Sequence, residues 1–185
     1  MTDAIVIAQL NARMQPLDRG DYFEDPLDEK LQELGIGEVT GGGTQLTDEP
    51  DGILYCDIEI ALKDLNSTNL KSVIEILENL GAPKGSVLKV EGRPDISFGQ
   101  REGMGVFLNG TDLADEVYAS SDVNEVIENL NKCMTPRGAF MGYWEGSAET
   151  SLYFYGGSFD EMKEMTAEYV ASEPLCERAR IVQIA

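Results

Sequence analysis

Two segments of alternating polar and apolar residues, 5–14 and 53–62, carry the side chains best suited to bind a ligand. Alternation with a period of two is typical of a β-strand with one buried face, so the polar residues of each segment share the other face. If the two strands are neighbours, that face gathers five candidate binding residues: Asn11, Arg13, Tyr55, Asp57 and Glu59. There Arg13 is expected to clamp a carboxylate ligand or to pair with Asp57 or Glu59. The alternative is a solvated or inter-domain sheet face with ordinary ion pairs.

A second group of candidate binding residues is aromatic and lies on a predicted hairpin: Tyr143, Trp144, Tyr153 and Tyr155. Aromatic sheet faces bind bases in RNA-recognition modules, but the RNP pattern is missing here and the charge has the wrong sign. Aromatic side chains also anchor protein interfaces. The alternative is that these residues pack in a core or between two units of the chain.

No residue pattern points to catalysis, a metal or a cofactor. The chain has no histidine, which excludes Ser–His and Cys–His nucleophile systems and zinc sites that contain histidine. Its three cysteines, Cys56, Cys133 and Cys176, are too widely spaced for a CxxC motif and imply no disulfide framework. Asp57 and Glu59 lie two apart on one strand, where proximity is expected in any fold. We therefore predict no catalytic residue, and the interpretation leans away from an enzyme.

Two further segments have the composition of a phosphate-binding loop or a calcium site, but each also has a simpler structural explanation. The run from Gly41 to Thr44 lacks the GxxxxGK[ST] spacing of a phosphate loop, and glycines in a strand usually mark a bulge or a close approach. Residues 18–29 form the densest acidic stretch but do not match an EF-hand loop. That stretch remains open to three interpretations: a surface for a basic partner, a plain solvated face, or a weak calcium site.

The overall charge limits the class of partner. With 34 acidic and 14 basic residues among 185, the net charge is −20, and this field repels phosphate backbones while favouring basic partners. We therefore predict no nucleic-acid partner. No apolar run approaches the roughly 18 residues of a membrane span, and the N-terminal residues indicate a strand and not a signal peptide. We predict a cytoplasmic protein without a membrane partner; the oligomeric state stays open.

Hydrophobic periodicity and turn residues predict the same order of elements twice: strand, helix, strand, strand, helix, strand. In the first half Asp25 is expected to cap a helix that has Leu27, Leu31 and Leu34 as its apolar stripe and ends at Gly35. Leu54 is expected to face the core. The pattern predicts an α+β fold of two tandem ferredoxin-like (βαββαβ) units with antiparallel sheets. The first unit is predicted at residues 1–92 and the second at 102–185, with a linker at 93–101. The main alternative is one continuous α+β sheet.

Three short runs resemble the sequences of uncharacterised bacterial proteins: LNARMQPLDRG at 10–20, FEDPL at 23–27 and GGGT at 41–44. Small size and high acidity also resemble bacterial immunity proteins that neutralise toxins. The first resemblance carries no assigned activity. The second implies a non-catalytic acidic protein of the immunity or inhibitor type that binds a basic protein partner. Two alternatives stay open: a small-molecule-binding protein or enzyme with a site between the two sheets, and a structural or oligomerisation module.

Overall fold

The computed structural model describes residues 4–49 and 51–185. By contacts the chain divides into two compact units. The first comprises the chain up to Leu46 together with Ile53–Arg101, and the second comprises Thr47–Gly52 together with Glu102–Ala185. The turn between two strands of the first unit therefore belongs to the second.

The first unit is an antiparallel sheet with helices between its strands. Its strands are β1 (Ala4–Leu10), β2 (Gly37–Leu46), β3 (Ile53–Leu62), β4 (Ser86–Val90) and β5 (Ile96–Phe98). Its helices are α1 (Pro16–Arg19), α2 (Asp25–Leu34) and α3 (Ser67–Asn79), with a π-helical turn at Gly20–Glu24 joining the first two. The strand order is β2-β3-β1-β4-β5, so the predicted neighbours β1 and β3 lie side by side.

The alternation of apolar and polar residues along the strands explains which side chains form the core of this unit. Two residues that were predicted to be buried are exposed. Val6, Ala8 and Leu10 on β1 are fully buried, as the period of two requires. The prediction that Leu54 faces the core is wrong: it is 49% exposed, because β2 and β3 shift register beside it and Ile53 is buried instead. Leu34 is also misassigned and is 56% exposed, since it is the last residue before the helix ends.

The helical segment begins earlier than the sequence indicates. The expectation that Asp25 is the N-cap is wrong, because its φ of −64° and ψ of −48° are helical. Gln15 occupies the N-cap position instead, without a capping hydrogen bond from its side chain. Pro16 suits the first helical position because its missing N–H needs no partner there. The π-helical turn then carries the chain without a break into α2, which ends at Gly35 with a left-handed φ of 66°. The expected stop at Gly35 is confirmed.

The segment interpreted as a linker, residues 93–101, contains a strand. β5 pairs antiparallel with β4 through Ser86 and Phe98, and Phe98 is 7% exposed. Ile96 and Phe98 alternate with Ser97, which suits a short edge strand. The contacts of the second unit begin after it, at Glu102.

The second unit repeats the topology. Its strands are β6 (Glu102–Asn109), β7 (Gly138–Glu145), β8 (Glu149–Gly156) and β9 (Arg180–Gln183), in the order β7-β8-β6-β9. Its helices are α4 (Asp115–Ser120), α5 (Val123–Met134) and α6 (Phe159–Ser172), and a 3-10 turn follows at Pro174–Cys176. The side chains of Asp122 and Ser158 cap α5 and α6 by accepting hydrogen bonds from the backbone N–H groups of Asn124 and Glu161.

Both units therefore have the ferredoxin-like strand order, with the first and third strands central and the second and fourth flanking them. The α+β fold of two tandem units is confirmed. Within the described part of the chain, no helix is long and apolar enough to cross a membrane.

Candidate functional site

The N-terminus of the helical segment of the first unit has one of the two hydrogen bonds of a capping box. Gln15 is extended, and the carboxylate of Asp18, three residues later, accepts a hydrogen bond from its backbone N–H. Partial burial raises the pKa of Asp18 above its usual value, the bond from Gln15 opposes this rise, and the charge of Asp21 adds to it. Asp18 therefore stabilises the start of the helical segment through its hydrogen bond with Gln15.

Arg19 fastens the helical segment to β2. It is 6% exposed; its Nε donates to Glu24 Oε1 at 2.6 Å, and its Nη1 donates to Thr44 Oγ1 at 2.7 Å. Arg19 and Glu24 are five residues apart, a spacing that the wider π-helical turn brings onto one side. The Thr44 hydroxyl in turn donates to the carbonyl of Met14 at 3.2 Å. Because Arg19 is buried and paired internally, its charge does little to offset the exposed acids nearby.

An acidic face runs along the outside of this segment. Asp21, Asp25 and Glu29 are all exposed, and their spacing of four residues places them on one side of the helix. Among the residues the structure describes, no ion pair joins any of the three to a Lys or Arg. Asp28, by contrast, is engaged, since its Oδ1 accepts the backbone N–H of Val39 at 2.8 Å. We call Asp21, Asp25 and Glu29 the acidic face.

Two large apolar side chains are exposed beside the acidic face. Leu17 is 84% exposed and Tyr22 is 40% exposed. Partial burial raises the pKa of the Tyr22 hydroxyl above its usual value, and the charges of Asp18 and Asp21 add to that rise. Tyrosine is enriched among the residues that contribute most to the binding energy of protein interfaces.

The three glycines of β2 lie on the outermost strand of the sheet. One follows a β-bulge, and another is closely approached by a side chain of the helical segment. The register shifts between Val39 and Gly41, which agrees with the predicted bulge. A Cβ on Gly41 would lie 3.6 Å from Glu59 Oε2, and a Cβ on Gly42 would overlap Glu24 Oε1. Since successive residues of a strand face opposite sides, carboxylates flank this edge on both faces. We call Gly41–Gly43 the glycine edge.

The structure brings together some of the five predicted polar residues. Asp57 lies opposite Gln9 and Gly43 in the sheet, half-buried, and its Oδ1 is buried with no hydrogen-bond partner among the described residues. Glu59 is exposed and lies two positions along the same face. Tyr55 is half-buried opposite Gln45. These three share one face of β3, which is the predicted arrangement.

Asn11 and Arg13 lie beyond the end of β1, which stops at Leu10. The backbone N–H of Asn11 donates to Ser86 Oγ at 3.1 Å, and its Nδ2 donates to the carbonyl of Lys84 at 2.8 Å. Asn11 therefore holds the turn that precedes β4. Arg13 is half-buried in the connection that leads to α1.

The predicted aromatic residues of the second unit are divided between the two faces of its sheet. Trp144 lies opposite Ser151 and shares a face with Tyr153 and Tyr155, whereas Tyr143 lies opposite Leu152 on the other face. Tyr153 is fully buried and Tyr155 is 3% exposed, while Tyr143 is 43% exposed. Tyr143 is thus the most accessible of the four aromatic side chains.

Trp144 and Tyr153 contact the segment Thr47–Gly52. The sequence did not predict these contacts. The Tyr153 hydroxyl donates to the carbonyl of Asp51 at 2.8 Å, and Gly52 lies so close to the Trp144 ring that a Cβ there would overlap it. Gly52 also has a left-handed φ of 65°, which a glycine adopts freely. The turn residues of 48–52 were the available signal, but no pattern in the sequence assigns a turn to a distant hairpin.

Glu49 completes this attachment. Its carboxylate accepts the backbone N–H of Ser147 at 3.0 Å and also the Ser147 hydroxyl. These hydrogen bonds, the hydroxyl first, lower the pKa of Glu49 below its usual value because they favour the charged form.

Two of the three cysteines are buried and weakly acidic. Burial raises the pKa of the Cys56 thiol to about 12 and that of Cys176 to about 11. A thiol with such a pKa holds its proton at neutral pH, so neither side chain is an activated nucleophile. In the described residues, no group of three or more Cys, Asp or Glu side chains is placed to hold a metal ion.

Two neighbouring hollows beside α5 share Val123 and Thr150. Their volumes are about 510 Å³ and about 300 Å³; Asp122 contributes to the larger and Glu145 to the smaller. No described Lys or Arg lines either hollow, so an anionic ligand has no counter-charge there.

No protein-family model matches the chain, and a search of curated proteins found no match. Solved structures give weak likenesses. The first two RRM domains of the yeast poly(U) binding protein share 13% identity at a TM-score of 0.26, covering 97% of this chain and 99% of that one. The regulatory subunit of aspartate kinase from Thermus flavus shares 13% identity at a TM-score of 0.30, covering 91% and 94%. An unknown protein from Galdieria sulphuraria shares 9% identity at 0.31, covering 99% and 98%. These values indicate no function, and the fold assignment rests on the strand order.

Proposed function

We propose that this chain is a non-catalytic binding protein that recognises a basic protein partner through the acidic face of its first unit. The observation that carries the proposal is the row of exposed carboxylates at Asp21, Asp25 and Glu29, next to exposed Leu17 and Tyr22. Carboxylates steer a cationic partner towards the surface and increase the association rate. The apolar side chains supply the contact area that charge alone does not.

The net charge of −20 supports the same proposal, because it disfavours acidic partners and nucleic acids. The specific form we propose is an immunity-type or inhibitor-type protein in a bacterial cytoplasm. Its partner would be a basic protein whose activity is blocked by the complex. The immunity-type role is supported by the resemblance in size and acidity to immunity proteins, and the bacterial source by the short runs that resemble bacterial sequences.

The test compares two variants with equal charge. The first removes the acidic face by Asp21→Asn, Asp25→Asn and Glu29→Gln; the control removes three exposed acids of the second unit by Glu125→Gln, Glu164→Gln and Glu168→Gln. Both lower the net negative charge by three. An exposed ion pair contributes about 0.5 kcal/mol, so losing three lowers affinity roughly tenfold. The control should bind as the wild type does.

Captured proteins from a bacterial lysate are compared at about 50 mM and about 500 mM sodium chloride, because high salt screens exposed charges. The proposal predicts one basic protein that is enriched on the wild type and the control, and is lost from the acidic-face variant and at high salt. Equal capture by both variants would show that the acidic face is not the binding surface.

A further inference from the structure

We infer that the basic partner docks as an extended segment that pairs with the outer side of β2 and carries Lys or Arg at alternate positions. This inference rests on the proposed function, because it specifies which part of the basic partner makes the contact. It adds a second contact surface, the glycine edge, which lies on the strand that Arg19 fastens to the helical segment through Thr44.

β2 is the outermost strand on its side of the sheet, and its inner side pairs with β3 along its whole length. Half of the backbone N–H and C=O groups of such a strand point away from the sheet. At Val39 the N–H is taken by Asp28 Oδ1, but from Gly42 onwards the strand is exposed at Gly42, Gly43 and Gln45. Edge strands are guarded by lysine, proline or β-bulges, and β2 contains neither lysine nor proline. Its two register shifts lie at Val39–Gly41 and Gln45–Leu46, and the residues from Gly41 to Gln45 between them pair regularly with β3.

The charge along this edge that has no ion-pair partner is negative. Glu59 reaches across Gly41 on one face, and Glu24 lies against Gly42 on the other. The one described cation in contact with these groups is Arg19, which is buried and already bonded to Glu24 and Thr44. On the Glu24 face this pairing leaves little net charge, whereas the Glu59 carboxylate has no ion pair among the described residues. Cationic side chains at alternate positions of an added strand share one face and therefore meet a carboxylate on the Glu59 face.

The glycines make those carboxylates reachable. A strand added to β2 lies about 4.8 Å from it, and its side chains alternate between the two faces of the sheet. Over Gly41 there is no side chain between the added strand and the Glu59 carboxylate, so a Lys or Arg on that face reaches it. Main-chain pairing supplies affinity and the alternate side chains supply selectivity, as in other cases of strand addition. The chemistry of the edge thus favours an extended segment with alternating cations.

The probe is a capped peptide of about nine residues in which threonine and lysine alternate, a length that matches a typical strand. It is titrated into the full chain at about 50 mM salt while amide chemical shifts are followed by NMR. The matched control peptide has the same sequence with every backbone amide N-methylated, which keeps the charge and removes the hydrogen-bond donors. On the protein side, Gly43→Lys is compared with Gly43→Gln. A Cβ at this position meets nothing within 4 Å, so both side chains fit.

The expected result is a shift of the amides of residues 41–45, with at least about tenfold weaker binding of the N-methylated peptide. Gly43→Lys should weaken binding several-fold relative to Gly43→Gln, because like charges repel. If both peptides bind equally, or the shifts lie elsewhere, charge alone carries the binding and strand addition is overturned while the proposed function stands. If neither peptide binds, strand addition is overturned as well. The proposed function is then decided by the variants of the acidic face.

Discussion

Substitution of Gly42 by alanine is expected to destabilise the first unit, whereas the same substitution at neighbouring Gly43 is expected to be harmless. A Cβ at Gly42 would overlap Glu24 Oε1 and lie 2.8 Å from the backbone oxygen of Asp57. The Glu24 side chain can shift, but the backbone oxygen cannot, and shifting Glu24 weakens its bond to buried Arg19. Overpacking of this kind costs about 1–3 kcal/mol. At Gly43 nothing lies within 4 Å, and alanine in a strand is favoured over glycine by about 0.5 kcal/mol.

Urea unfolding followed by far-UV circular dichroism measures both variants against the wild type. Because the chain has two units, hydrogen exchange of residues 37–62 is recorded as well, so that the change is assigned to the first unit. The midpoint for Gly42→Ala should fall with little change in slope, and that for Gly43→Ala should stay or rise. Equal stability of the two variants would refute the placement of Glu24 and Arg19 against β2.

Two further predictions concern the second unit and the thiols. The lowered pKa of Glu49 stabilises the fold above the ordinary value of 4.5, and this contribution is lost as the pH falls. Emission from Trp144, the single tryptophan, should therefore change on acidification in the wild type and lose this transition in Glu49→Gln; identical profiles would contradict the Glu49–Ser147 contact. Half-buried Cys133 should react with a thiol reagent well before Cys56, whose pKa is about 12. Cys133→Ser should therefore remove the fast phase, and rapid labelling of Cys56 would contradict its burial.

The fold was predictable because its signals are local. Alternation in β1 and β3, the caps Asn66, Asp122 and Ser158, and the stop at Gly35 each fix an element through neighbouring residues. The start of the helical segment was missed because Asp25-Pro26 has the composition of a helix N-terminus. The π-helical turn before it has no comparable sequence signature.

The candidate site was predictable only in part, because it depends on contacts between distant residues. Asp57 and Glu59 share a sheet face through strand alternation, which the sequence shows directly. By contrast, Arg19 pairs with Thr44 across 25 positions, and Glu49 bonds Ser147 across 98. No periodicity links such residues. Asn11 illustrates the same limit, since its polar side chain suggested a ligand contact but holds the turn at Lys84.

The most direct test of the proposed binding role is the affinity of the captured basic protein for the acidic-face variant and its equal-charge control. The account predicts about tenfold weaker binding for Asp21→Asn, Asp25→Asn, Glu29→Gln, and wild-type binding for Glu125→Gln, Glu164→Gln, Glu168→Gln, at about 50 mM salt. Equal affinities for the two variants would show that the net charge of the chain, and not this surface, determines binding.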